Sequence, residues 1–119
     1  MTKKILVADD DGQLLELIKT RLEKNNYQVL TVKDGLEALK KVKSEIPDLI
    51  ILDIKMAQMD GYLTLRKLKS EEMTKSIPVI ILTGYDKMRD LFEVEDISDY
   101  IVKPFNDEDF LLRVSRALR

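Results

Sequence analysis

Histidine, cysteine and tryptophan are absent from this chain. Without cysteine there can be no disulfide and no thiolate metal site. Without histidine, the usual transition-metal ligand and the usual general base near neutral pH are missing. Any metal must be held by oxygen, which points to a hard cation such as Mg²⁺. Long hydrophobic runs are lacking as well. The apolar run at residues 5–8 is too short for a signal peptide and leads into three aspartates. No segment approaches the roughly 20 apolar residues of a membrane span. A cytoplasmic location with no membrane partner is therefore expected. Charge of one sign is not in excess either. The 20 basic and 22 acidic residues leave a net charge of −2, which gives no reason to expect direct nucleic-acid binding.

What is present fits one domain spanning residues 1–119, with 45% hydrophobic residues for a core and 35% charged residues for a surface. Five short apolar runs recur: Ile5-Leu6-Val7-Ala8, Val29-Leu30-Thr31-Val32, Leu49-Ile50-Ile51-Leu52, Val79-Ile80-Ile81-Leu82 and Tyr100-Ile101-Val102. Runs this short and this apolar suit parallel strands buried on both faces. Between them, apolar residues fall at helical spacing. The stripes are Leu14, Leu15, Leu17, Ile18 and Leu22; Leu36, Leu39 and Val42; Tyr62, Leu65 and Leu68; and Phe110, Leu111, Val114 and Leu118. A fourth helical segment, between the last two stripes at residues 86–95, has Met88, Leu91 and Phe92 but is short and acidic. Asp34 with Glu37, Asp60-Gly61 and Asn106 read as helix starts. The expectation is α/β: a doubly wound (βα)₅ sandwich around a five-stranded parallel sheet of flavodoxin-like order 2-1-3-4-5, with a short or irregular fourth helix.

In open α/β sheets, functional groups gather beyond the carboxyl ends of the strands. The first strand runs into Asp9-Asp10-Asp11, the third into Asp53, the fourth into Thr83 and the fifth into Lys103-Pro104. The second ends in Lys33 with nothing distinctive. An aspartate after a strand is commonly a turn residue or a cap, and a threonine or lysine there is ordinary by itself. Four reactive groups on one edge are harder to dismiss. Two carboxylates about 4 Å apart repel by roughly 4 kcal/mol at an effective dielectric near 20. Clustering Asp9, Asp10 and Asp53 therefore requires a cation or the Lys103 ammonium. A hard cation, a lysine and a hydroxyl around carboxylates suit phosphoryl transfer, with one carboxylate as nucleophile.

These residues resemble the receiver domain of two-component response regulators. The resemblance covers the whole chain. It rests on Ile5-Leu6-Val7-Ala8-Asp9-Asp10-Asp11, Leu52-Asp53-Ile54-Lys55-Met56, Met59-Asp60-Gly61, Leu82-Thr83-Gly84 and Asp99-Tyr100-Ile101-Val102-Lys103-Pro104-Phe105. It implies a phosphoacceptor signalling domain rather than an enzyme, with at most slow self-phosphorylation and self-dephosphorylation. Asp53 would take the phosphoryl group from a histidine kinase or histidine phosphotransfer protein. Mg²⁺, with Mn²⁺ as a substitute, would sit on Asp10, Asp53 and the main-chain carbonyl of Lys55, and on Asp9 through water. Thr83 and Lys103 would contact the phosphoryl group, and Tyr100 would move inward with Thr83 as the switch. The side chains of Lys55 and Tyr85 would flank the acceptor and tune the lifetime of the phosphorylated state.

The chain departs from the family pattern in several places. Ala57 stands where proline is usual, and Gly84 where alanine is usual. Asp96 and Ile97 replace a Gly-Ala pair before the fifth strand. None of these removes a chemical group, but they imply a looser loop after Asp53 and an altered output. Two other functions compete. Asp9-Asp10-Asp11-Gly12-Gln13-Leu14 is similar to the opening motif of haloacid-dehalogenase-type phosphatases, with Asp9 as nucleophile and Asp11 as acid/base, although Gln13 replaces the expected threonine. A receiver-like binding module independent of phosphorylation is the other. Residues 86–99 hold six acidic and two basic residues, while Arg113, Arg116 and Arg119 recur on the last helix. The resemblance puts output on the fourth helix, fifth strand and fifth helix, toward a downstream protein or a second copy paired acid to base.

Overall fold

The computed structural model describes residues 2–84, 89, 92 and 95–119. Five strands and four helices lie among them: β1 (Lys4–Ala8), α1 (Gly12–Lys24), β2 (Gln28–Val32), α2 (Gly35–Glu45), β3 (Leu49–Leu52), α3 (Gly61–Lys69), β4 (Val79–Thr83), β5 (Asp99–Val102) and α4 (Asp107–Ala117). The strands form one parallel sheet of order β2-β1-β3-β4-β5, as the alternation of apolar runs predicts. The short fourth helix expected at 86–95 lies outside the described residues, apart from positions 89, 92 and 95. The helix labelled α4 is therefore the fifth of the sequence expectation.

The period of two along each strand divides the core in half. Leu6, Ala8, Ile50, Leu52, Val79 and Ile81 face α2 and α3, where they meet Ala38, Leu39, Val42, Leu65 and Leu68. Ile5, Val7, Leu49, Ile51, Ile80 and Leu82 face α1 and α4, where they meet Leu15, Ile18, Leu22, Phe110 and Val114. Each fully buried aliphatic side chain stabilises the fold by about 1.5–3 kcal/mol before entropy is counted. The apolar stripes are narrower than the sequence suggests. Leu17 is 46% exposed and Leu36 is 42% exposed, because each lies off the i, i+3, i+7 line that its helix turns to the sheet.

All four helices start on a side-chain cap. Asp11 accepts from the amides of Gln13 and Leu14, Asp34 from Glu37, Asp60 from Leu63 and Asn106 from Asp109. Each satisfies amide groups that have no partner within the helix. The caps of α1 and α3 stand just beyond the sheet edge where Asp9 and Asp53 emerge.

At its far end α2 stops on Ile46, held left-handed at φ 44° with its amide bonded to the Val42 carbonyl. A β-branched residue is disfavoured there, and glycine is the usual occupant. Ile46→Gly is expected to stabilise the protein by about 0.5–1 kcal/mol. A urea midpoint that falls, at unchanged slope, would contradict this.

Candidate phosphoacceptor site

The aspartate triplet after β1 separates into three roles. Asp11 is the α1 cap, its Oδ1 taking the Gln13 and Leu14 amides at 3.0 and 3.2 Å. Asp9 is buried, 2% exposed. Its Oδ1 accepts from the Asp11 amide at 3.0 Å, and its Oδ2 accepts from Lys103 Nζ at 2.7 Å. Asp10 is exposed and makes no hydrogen bond or ion pair through its carboxylate among the described residues. The acid/base role that a phosphatase motif would give Asp11 therefore has no support here, since that carboxylate holds a helix start.

Asp53 follows the central strand β3 and is 6% exposed. Its Oδ1 accepts from the Ile54 amide at 2.7 Å, and its Oδ2 lies 3.3 Å from Lys103 Nζ. Burial pushes the Asp53 carboxyl above its usual range, and the neighbouring Asp9 charge adds to this; Lys103 and the Ile54 amide pull the other way. For Lys103, burial draws the ammonium down, but the hydrogen bond to Asp9 and the charges of Asp53 and Asp9 outweigh it, so its affinity for the proton is raised.

Carboxylate oxygens of Asp9, Asp10 and Asp53 all lie within 4.8 Å of one another. Three carboxylates against the Lys103 ammonium leave a negative excess. An all-oxygen donor set with that excess fits a hard divalent cation. The structure brings together four predicted residues whose partners are far apart in sequence: Lys103 reaches Asp9 across 94 positions and Asp53 across 50.

Thr83 ends β4, next to β3, and is fully buried. The Lys103 amide donates to its carbonyl at 2.8 Å, so the hydroxyl and the ammonium sit on neighbouring strand ends. Lys55 is exposed in the loop after β3, and Tyr85 lies outside the described residues. The Tyr100 ring is turned inward, 2% exposed. Phe92 packs against it with ring centroids 5.8 Å apart. The Arg89 guanidinium lies 4.8 Å from the ring centroid, and its Nη1 donates to the Tyr100 carbonyl at 3.3 Å. Sequence alone offers no signal for that contact.

Arg113 is engaged within the chain, bonded to Asp99 at 2.7 Å and to Asp109 at 3.0 Å. Of the three arginines expected to form a basic helix face, Arg116 and Arg119 remain exposed. Two glycines also carry more than their turns suggest. A β-carbon on Gly61 would lie 2.0 Å from the Asp53 carbonyl oxygen, and one on Gly35 2.1 Å from that of Met59.

A family model described as the response regulator receiver domain matches residues 5–115. The alkaline phosphatase synthesis transcriptional regulatory protein PhoP of Bacillus subtilis is 37% identical over 100% of this chain, which covers 50% of that protein. The chain thus spans about half the length of curated relatives such as this one. The receiver domain of a signal transduction histidine kinase from Syntrophus aciditrophicus is 36% identical with a TM-score of 0.89, over 98% of this chain and 90% of that one. The receiver domain of the sensor histidine kinase PA1611 from Pseudomonas aeruginosa PAO1 is 25% identical with a TM-score of 0.90, over 99% of this chain and 98% of that one. Its structure has a magnesium ion coordinated in the active site cleft.

Proposed function

The chain belongs to the response regulator receiver family, and on that premise we propose that Asp53 is its phosphoacceptor in a Mg²⁺-dependent reaction. The observation that carries this reading is the meeting of Asp9, Asp10 and Asp53 within 4.8 Å, with Lys103 bonded to two of them. The Ile54 amide holds Oδ1 of Asp53 and leaves Oδ2 toward Lys103. Oδ2 is then the oxygen presented to phosphorus. It forms the new O–P bond as the donor's N–P or O–P bond breaks, giving an acyl phosphate. Lys103 shifts its ammonium from Oδ2 to a phosphoryl oxygen, and the Thr83 hydroxyl binds another.

Asp10, Asp53 and the Lys55 carbonyl would hold Mg²⁺, or Mn²⁺, directly. Asp9, which Lys103 holds at 2.7 Å against 3.3 Å for Asp53, would act through water. When bound, the ion neutralises charge on the phosphoryl oxygens. The protein signals rather than turns over a substrate: a histidine kinase or phosphotransfer protein supplies the group, and Thr83 relays its presence to a partner at β5 and α4, where the Tyr100 ring already lies in its inward position. The proposed site of action is cytoplasmic; among the described residues no helix is long and apolar enough to cross a membrane.

Incubation with acetyl phosphate and Mg²⁺ should raise the intact mass by one phosphoryl group, and chelation should prevent it. Millimolar Mg²⁺ alone should raise the melting temperature, because the ion binds the folded cluster and not the unfolded chain; at 100 times its Kd the gain is about 2.7 kcal/mol. A melting curve indifferent to Mg²⁺, with no mass change, would remove the basis for this reading.

A further inference from the structure

We infer that Gly35, the first residue of α2, is a positioning residue for the phosphoacceptor: it is the notch that lets the loop after Asp53 lie in place. The inference rests on the assignment of Asp53 above and adds a residue on a different helix to that site.

The loop runs from Ile54 to Asp60 and is anchored at both ends. On the Asp53 side, Gly61 donates its amide to the Ile54 carbonyl at 2.6 Å. A β-carbon there would lie 2.0 Å from the Asp53 carbonyl oxygen and 2.8 Å from the Ile54 α-carbon, so only glycine permits that closure. On the other side, Ala57 forms an isolated parallel bridge with Asp34, the cap of α2. Immediately after it, the Met59 carbonyl crosses over Gly35. A β-carbon on Gly35 would lie 2.1 Å from that carbonyl oxygen and 2.3 Å from Thr64 Oγ1. Both atoms are committed to short backbone segments: the Met59 amide bonds to the Ala57 carbonyl at 2.7 Å, and Thr64 Oγ1 donates to the Asp60 carbonyl at 2.8 Å. Gln58, between Ala57 and Met59, is left-handed at φ 67°.

The consequence reaches the acceptor by a short route. The Ile54 amide orients Oδ1 of Asp53 at 2.7 Å, and the Ile54 carbonyl is the group that Gly61 grips. Pushing Met59 off Gly35 therefore displaces the segment that sets the Asp53 carboxylate. Where the family pattern has proline at position 57, this chain has Ala57; its loop is tied by the bridge to Asp34 and packed on Gly35.

The test is Gly35→Ala in the full chain, made alongside Leu39→Ala. Leu39 is buried in the core on the same helix, so its truncation costs stability without entering the loop. Both are made in the Ile46→Gly background, and phosphoryl uptake from acetyl phosphate is followed by intact mass at saturating Mg²⁺. A displacement near 1 Å costs up to about 100-fold in rate. Gly35→Ala should lower the rate constant roughly 10- to 100-fold while the folded fraction still reaches full labelling, and Leu39→Ala should stay within about twofold. Equal rate constants for the two variants would overturn the inference, as would a Gly35→Ala chain that fails to fold even in this background, since its role would then be folding alone. The Ile54 and Gly61 amide resonances supply a test that needs no phosphodonor. They should shift in Gly35→Ala and stay in place in Leu39→Ala; any other pattern defeats the inference. A parent chain that takes up no phosphoryl group counts against the Asp53 assignment, and the amide shifts then decide for Gly35.

Discussion

Replacing Asp53 by asparagine is expected to abolish phosphoryl uptake and, in metal-free buffer, to make the protein more stable. The first effect follows from losing the proposed nucleophile. The second follows from the cluster: Asp53 is buried beside Asp9, and Lys103 is shared between them. The gain should be roughly 1–2 kcal/mol at neutral pH. Its pH dependence identifies the cause. Burial and the Asp9 charge raise the Asp53 carboxyl above its unfolded value, so the folded state binds that proton more tightly than the unfolded chain does. The stability contributed by this group is complete below the unfolded pKa, near 3.9, and is lost as pH rises through the raised folded value. The difference between Asp53→Asn and the parent should therefore be small in acid and widen toward neutrality. Chemical denaturation at several pH values in EDTA checks this. A difference that narrows with rising pH would show that the carboxylate is stabilised where it sits. Labelling of the variant as fast as the parent would move the acceptor elsewhere.

Lys103→Met should do the opposite to stability. It leaves the Asp9 and Asp53 carboxylates without the ammonium that bonds both at 2.7 and 3.3 Å. Removing one partner of a fully buried ion pair costs about 3–5 kcal/mol. The lysine side chain retains 23% of its exposure, which screens the charge, so about 2–3 kcal/mol is expected. Mg²⁺ should restore part of this loss, because the same carboxylates would hold it. The Lys103 ammonium has a raised pKa; its contribution is present below the usual lysine range and disappears as pH climbs through the raised value. Calorimetry with and without Mg²⁺ separates the two cations. If Mg²⁺ lifts the variant no more than it lifts the parent, the lysine and the metal do not share a charge cluster.

The strands are legible in the sequence because a parallel strand is covered on both faces, and so Leu49-Ile50-Ile51-Leu52 reads as an unbroken apolar run. Caps are legible because the side chain that ends one segment starts the next: Asp34, Asp60 and Asn106 all hold helix amides. The convergence of Asp9, Asp10, Asp53 and Lys103 follows from strand order, since every parallel strand points its carboxyl end the same way. What escapes is whatever depends on contacts between elements. Leu17 and Leu36 have helical spacing but sit off the buried line. The spacing of Arg113 predicts a surface charge, yet the packing of α4 beside β5 turns it onto Asp99. Gly35 gives no sign, because a close backbone approach between α2 and the loop after β3 leaves no local pattern in either segment.

The span between Asp9 and Lys103 bears on how the protein is made. Those two residues bond across 94 positions, so the carboxylates exist well before their counter-ion does. At roughly 5–20 residues per second of synthesis, Lys103 follows Asp9 by about 5–20 s. During that interval β1 and β3 can pair, but burying Asp9 and Asp53 against each other lacks Lys103 to offset it. The edge that carries Asp9 and Asp53 is therefore expected to stay hydrated until β5 docks on β4, a step that contacts this non-local should slow. A nascent chain halted before β5 should expose this edge to proteolysis while the first half of the sheet is already protected, so assembly of the active edge closes folding rather than nucleating it.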